Sequence, residues 1–269
     1  YIWTRLTSIP EDLIYGDGAP EWDVPHVSQT FQGRSPGEFW LIETDGIFKS
    51  QAEIDSHVSS DGTVIQPNAQ PGDVRFVDAN DDGQITSEPV GGDRVFSGLG
   101  IAPWNAGLNI NATYNNFDLT LSFYGNFGSK VYNGPKYLLE QPFGYDNFSP
   151  TLLGAYDAAT NPGSNFPRNN PNDLGENYNS RPDSDRYIEN GNFVKASLIQ
   201  FGYRLPMSFS KKLGMSSPRV YVSGQNLFTI SGYEGIDPEQ GRDGLISAGI
   251  DRGTAPQFRT ILLGFSVNF

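Results

Sequence analysis

Two adjoining stretches constrain this chain more than any other feature. In residues 104–114 (WNAGLNINATY), Trp104, Ala106, Leu108, Ile110, Ala112 and Tyr114 are apolar or aromatic, and the residues between them are Asn105, Gly107, Asn109, Asn111 and Thr113. In residues 117–127 (FDLTLSFYGNF), Phe117, Leu119, Leu121, Phe123 and Phe127 alternate with Asp118, Thr120, Ser122, Tyr124 and Asn126. Side chains alternate across a strand, so each stretch predicts a strand with one apolar and one polar face. Asn115-Asn116 between them predicts a tight turn, because Asn tolerates positive φ. Such a hairpin fits a soluble sandwich, where the apolar face meets a second sheet. It also fits an outer-membrane barrel, where that face meets lipid and the polar face lines the interior.

The rest of the chain separates these two readings. The end, residues 260–269 (TILLGFSVNF), places Ile261, Leu263, Phe265, Val267 and Phe269 on one face, with Leu262 the exception on the other. Residues 192–205 alternate through Ile199, Phe201, Tyr203 and Leu205, but Val194, Ala196 and Leu198 run in the opposite phase, which predicts a bulge. Residues 218–230 and 38–49 read as further strands, 24–31 as a short one, and 51–58 as a turn or two of helix. Counted back from Phe269, the connections are 231–257, 206–217, 128–191, 115–116 and 49–103, alternately long and short. Bacterial barrels have short periplasmic turns and long external loops, whereas a sandwich has no reason to place every long loop at one end. Aromatics near the strand ends (Trp104, Tyr114, Phe117, Phe127, Tyr203, Phe228, Phe269) suit interfacial girdles. The predicted class is therefore all-β, an antiparallel transmembrane barrel segment. Residues 1–37, broken by proline and glycine, form a poorly readable segment with one candidate strand. Residues 38–269 form barrel strands and loops, with a polar insertion at 71–100 and a long external loop at 128–191.

Composition removes other classes. Lysine plus arginine is 18 and aspartate plus glutamate 31, a formal charge of −13, which argues against a nucleic-acid partner and suits divalent cations. The absence of cysteine excludes disulfides and thiolate metal sites. No apolar run approaches the ~18 residues of a membrane helix, which excludes helical spans only.

Six motifs together resemble the C-terminal part of SusC/RagA-type TonB-dependent transporters: residues 36–48 (PGEFWLIETDGIF), 71–83 (PGDVRFVDANDDG), 185–193 (DRYIENGNF), 219–228 (RVYVSGQNLF), 235–239 (GIDPE) and 256–260 (PQFRT) with the strand that follows. The resemblance runs in order from about residue 33 to the end. It implies a 22-stranded plugged barrel in the outer membrane of a Gram-negative bacterium. This chain would supply about six of those strands, with long external loops. The resemblance further implies energised import of glycans or peptides. The implied partners are the remainder of the barrel and its plug, a SusD-like surface lipoprotein, TonB acting through an N-terminal part, and membrane lipid. No plug or TonB box is recognisable here, so the chain reads as the last third of such a barrel. The alternative is a soluble calcium-binding β-domain acting as a surface adhesin or glycan-binding module; a glycoside hydrolase ranks below both.

One motif carries chemistry. Asp78, Asn80 and Asp82 place oxygen ligands at positions 1, 3 and 5 of an EF-hand-like loop, Gly83 supplies the turn at 6, and Gln84 offers its carbonyl at 7. Pro89 stands where a bidentate glutamate is expected, leaving Glu88 or Asp93 to close the cage, with Asp93 favoured. The expected ligands of a calcium ion are thus Asp78, Asn80, Asp82, Gln84 and Asp93; the plain alternative is an Asx-rich turn. Asp237 and Glu239, with Arg242 and Asp243, read as turn-formers on a solvated loop, with a ligand or loop-locking cluster as the other option. Trp3, Trp22 and Trp40 are candidates for sugar stacking, with core or girdle roles favoured. No nucleophile elbow, phosphate loop or histidine metal motif appears, so no enzyme is expected.

Overall fold

The structure is a computed structural model that describes residues 5–7, 13–15, 26–88, 90–142, 147–170, 178–206, 208, 216–239 and 244–268. In chain order the strands are β1 (Leu13–Tyr15), β2 (Ser28–Phe31), β3 (Glu38–Ile42), β4 (Thr44–Ile47), β5 (Val74–Phe76), β6 (Arg94–Leu99), β7 (Trp104–Tyr114), β8 (Phe117–Phe127), β9 (Lys130–Asn133), β10 (Ile188–Asn190), β11 (Phe193–Arg204), β12 (Ser216–Gln225), β13 (Thr229–Ser231), β14 (Ile250–Asp251) and β15 (Thr260–Asn268). Two short helices, α1 (Gln51–Asp55) and α2 (Gly134–Leu139), complete the regular structure together with 3-10 turns. No helix among the described residues is long and apolar enough to cross a membrane.

The long strands form one antiparallel sheet in the order β15-β12-β11-β8-β7, with β13 beside β11. The predicted hairpin is present as read: Tyr114 faces Phe117 across the turn, and Asn115 adopts φ 52°. The bulge in β11 lies between Ala196 and Leu198, where the apolar phase switches in sequence. It brings Ile199 and Phe201 onto the same face as Ala196. Strand β12 shifts register between Ser216 and Arg219, around Pro218, which has no N–H to give to a ladder. The single strand expected over 218–230 is two, β12 and β13, parted where Asn226 turns to φ 51°.

These registers align the apolar residues into rows across the sheet. Tyr114, Phe117, Tyr203, Val220 and Phe265 form one row. Ala112, Leu119, Phe201, Val222 and Leu263 form the next, and Ile110, Leu121, Ile199, Gly224 and Ile261 a third. Most of this face is open among the described residues, with Tyr114 77% exposed and Leu263 81%, although Leu227 folds over Gly224. A continuous apolar wall of this kind requires an apolar surrounding. The aromatic end row is tied by Phe117 rings packed against Tyr203 at 4.8 Å and Phe201 at 5.5 Å.

The core lies elsewhere, in a lobe built from the long connections. Val27, Phe39 and Leu41 precede β7, Tyr132, Tyr137 and Tyr187 come from 128–191, and Ile250 from 231–257, yet they share one buried cluster. Sheets β1-β2-β3-β6 and β10-β9-β14 frame it, and the β4-β5 pair packs a second cluster of Ile42, Ile47, Val74, Phe76 and Tyr156. Three corrections follow. The connections read as irregular loops are a packed lobe. The stretch 38–49, read as a barrel strand, is β3 and β4 of that lobe, because its apolar side chains on both faces are buried rather than alternating. The boundary placed at residue 37 falls in the turn joining β2 to β3. The helix expected over 51–58 is α1, capped by Ser50 accepting from the Glu53 amide.

Candidate functional site

The loop from Asp78 to Asp93 is organised by carboxylates and backbone amides. Asp78 Oδ1 accepts from the Asp81 amide at 2.7 Å and Oδ2 from the Gly83 amide at 2.8 Å. Asn80 Oδ1 accepts from the Asp82 amide at 3.1 Å, and Asp82 Oδ1 from the Gln84 amide at 2.9 Å. Positive φ at Asp81 (62°) and Gly83 (80°) makes this closure possible. Asp78, Asn80 and Asp82 therefore share one tight turn, as their spacing predicts. Asp93 is fully buried and acts on the ends of the loop, accepting from the Ala79 amide at 2.8 Å through Oδ1 and from the Thr86 amide at 2.6 Å through Oδ2. Among the described residues no three acidic or histidine side chains group as a metal cage. A second turn docks on the first, with the Ser60 amide donating to Asp81 Oδ1 at 2.7 Å. The Ser60 hydroxyl and amide hold the Asp81 carboxyl below its ordinary value. In the docked turn, the Ser59 hydroxyl and Thr63 amide hold Asp61 at about 2. Pro89 lies outside the described residues.

Asp237 and Glu239 are not solvated turn-formers. Both contact Lys195, a residue of β11 that is 2% exposed, with Nζ 3.3 Å from Asp237 Oδ2 and also on Glu239 Oε2. The Tyr124 hydroxyl donates to Glu239 Oε2 at 2.6 Å. Of the two sequence options, the locking cluster is the one formed; Arg242 and Asp243 lie outside the described residues. Sequence reasoning missed Lys195. The available signal was a charge in the interior of a strand, on its polar face opposite Tyr124. Other buried ties in the lobe were also invisible: Arg168 on Asp73, and Asp183 held by Arg94 at 3.0 Å and Arg181 at 2.9 Å. Burial pushes the Asp183 carboxyl up, but the two guanidiniums outweigh it and leave it below its ordinary value. Trp40 packs edge-on against Phe31 at 5.0 Å and Phe96 at 6.3 Å, a packing role. Trp3 and Trp22 lie outside the described residues.

The polar face of the sheet carries Asn111 bonded to the Thr120 hydroxyl at 3.0 Å, and an ion pair between Arg219 and Asp118. Gly202 lies beneath that pair, where a Cβ would collide with both partners. The sheet therefore has a lipid-compatible face, a hydrophilic face and a folded lobe at one end.

No family model matches the sequence. Individual proteins do. The chain is 28% identical over 98% of its length to TonB-dependent receptor P3 of Formosa agariphila, covering 25% of that receptor. It is 29% identical over 77% of its length to TonB-dependent receptor SusC of Bacteroides thetaiotaomicron, covering 18% of it. The chain is homologous to the SusC/RagA-type TonB-dependent receptors. Its fold agrees: 95% of it superposes on a chain of the RagAB peptide transporter, with a TM-score of 0.65, 20% identity and 25% of that chain covered. The SusC/RagA-type relatives are thus spanned only to a quarter of their length or less. The two-faced antiparallel sheet has the fold of a β-barrel segment of such transporters.

Proposed function

We propose that this chain forms the C-terminal wall and surface lobe of a TonB-dependent outer-membrane importer of glycans or peptides. The observation that carries the proposal is the pairing of a largely open apolar face with a hydrophilic one on the same strands, in a chain homologous to TonB-dependent receptors. In this reading the apolar rows contact lipid. The residues on the other face, among them Asn105, Asn109, Asn111, Asp118, Ser122, Tyr221 and Gln225, line the conduit or contact a plug. The lobe stands at the external surface, where a SusD-like lipoprotein would meet it. A soluble adhesin would leave the apolar rows in water, which argues against that alternative.

The test is uptake by a Gram-negative host expressing the complete receptor that contains this chain, offered labelled oligosaccharides and oligopeptides. Accumulation of one class that stops when TonB is removed is the expected result. Accumulation indifferent to TonB, or purification of the receptor as a monodisperse protein without detergent, would overturn it.

We also propose that the Asp78 turn holds calcium. The donors Asp78, Asn80, Asp82 and the Gln84 carbonyl are all oxygens, as a hard cation needs, and they belong to the one turn closed at Gly83. Asp93 supports this turn through the Ala79 amide, and the second lone pair on each of its oxygens leaves it able to close the cage. The ion's role would be to stiffen the loop. A calcium-dependent rise in melting temperature, absent in the Asp78→Ala/Asp82→Ala double variant, is expected. No calcium response in the unaltered protein would leave the loop an Asx turn.

A further inference from the structure

The segment from Tyr233 to Glu239 is fastened at both ends, to different parts of the molecule. At its start, the Tyr233 hydroxyl donates to Asp251 Oδ2 at 2.6 Å, Lys136 Nζ meets Glu234 Oε2 at 2.7 Å, and the Glu234 amide donates to Glu189 Oε2 at 2.8 Å. All three partners belong to the lobe. At its end, Asp237 and Glu239 close on Lys195 and Tyr124, which face the polar side of the wall. The Glu239 amide donates to Asp237 Oδ1 at 3.0 Å, which sets both carboxylates toward the same ammonium. Between the two anchors, Ile236 is exposed.

We propose that this segment is a strap that positions the lobe against the inner wall of the conduit, and that Lys195 is the positioning residue that holds it. The inference rests on the transport reading for its consequence and on the geometry alone for the strap. Apolar packing would fasten a loop to a wall without removing three charged groups from water, so an ionic tie is a weak way to gain stability and a specific way to set position. The tie is also on the polar face, so its place sets the free cross-section beside Asn126 and Phe193. These two residues line a cavity of about 270 Å³ with Pro238 of the strap. Freed from Lys195, the strap would leave one wall of that cavity open, and the lobe would keep its own core while losing this anchor to the sheet.

The experiment uses the complete receptor carrying this chain, in detergent or vesicles, and reads amide hydrogen exchange by peptide together with uptake. Lys195→Met should raise exchange in residues 232–239 on the order of tenfold or more, because exchange follows the population of locally open states. Exchange in β7 and β8 should stay unchanged. Uptake should change in maximal rate more than in half-saturating concentration. The reciprocal pair Lys195→Glu with Glu239→Lys should recover part of the protection, which a role in packing alone would not allow. If Lys195→Met fails to assemble, Glu239→Gln keeps the Asp237 contact and should show an intermediate rise. Unchanged exchange in 232–239, or equal loosening of the wall strands, would overturn the strap. Absence of TonB-dependent uptake by the unaltered receptor would count against the transport reading, and the exchange data would still decide the strap.

Discussion

Placing arginine at Leu121 tests the face assignment most directly. Leu121 lies between Ile110 and Ile199 in the third apolar row. Strand β8 runs from Phe117 to Phe127. At ~3.4 Å per residue and a tilt of ~40°, its ten intervals rise ~26 Å, close to the ~25 Å apolar band of outer-membrane barrels. Four intervals place Leu121 ~10 Å above the Phe117 row, within ~3 Å of the midplane. Arginine there should cost ~2–4 kcal/mol, falling to ~0–1 at the interface. A depth series follows: Leu121→Arg severe, Phe117→Arg mild, and Ser122→Arg mild because its side chain points to the other face. Reversible urea unfolding of the complete receptor in lipid vesicles, followed by tryptophan fluorescence, gives the free energies. Equal losses for Leu121→Arg and Ser122→Arg would refute the assignment. A flat response with depth would refute the membrane placement even if the faces are right.

Asn115 holds φ 52° at the hairpin turn, so Asn115→Ala should destabilise by ~1 kcal/mol while Asn115→Gly is neutral, in the same unfolding assay. Phe39→Ala, at a fully buried position of the lobe core, should cost ~3–5 kcal/mol and expose the lobe to protease before the sheet. The Asp183 carboxyl is lowered in the folded protein, so its contribution is present above the ordinary carboxyl value and is lost as pH falls through the folded-state value. Acid unfolding of the lobe should therefore flatten below the ordinary carboxyl range in Asp183→Asn, and an unchanged acid limb would refute the assignment.

The wall was legible in the order of residues along the chain. Its strands obey a period of two, and the phase error in β11 announced its bulge. The lengths of the connections divided the molecule into two ends. These signals are local: each needs only the alternation of side chains and the identity of turn residues. The Asp78 turn was legible for the same reason, since its bonds join residues within a few positions of one another. The lobe was not legible. Its core joins Phe39, Tyr132, Tyr187 and Ile250, which are far apart in the chain, and no periodicity marks residues that meet through short, irregular strands. Lys195 reads as one polar residue on a polar face until Asp237 and Glu239 are folded onto it, and nothing local to Asp93 shows that it accepts from the Ala79 and Thr86 amides. Tertiary structure alone decided these, because a buried charge is defined by partners brought from elsewhere in the chain.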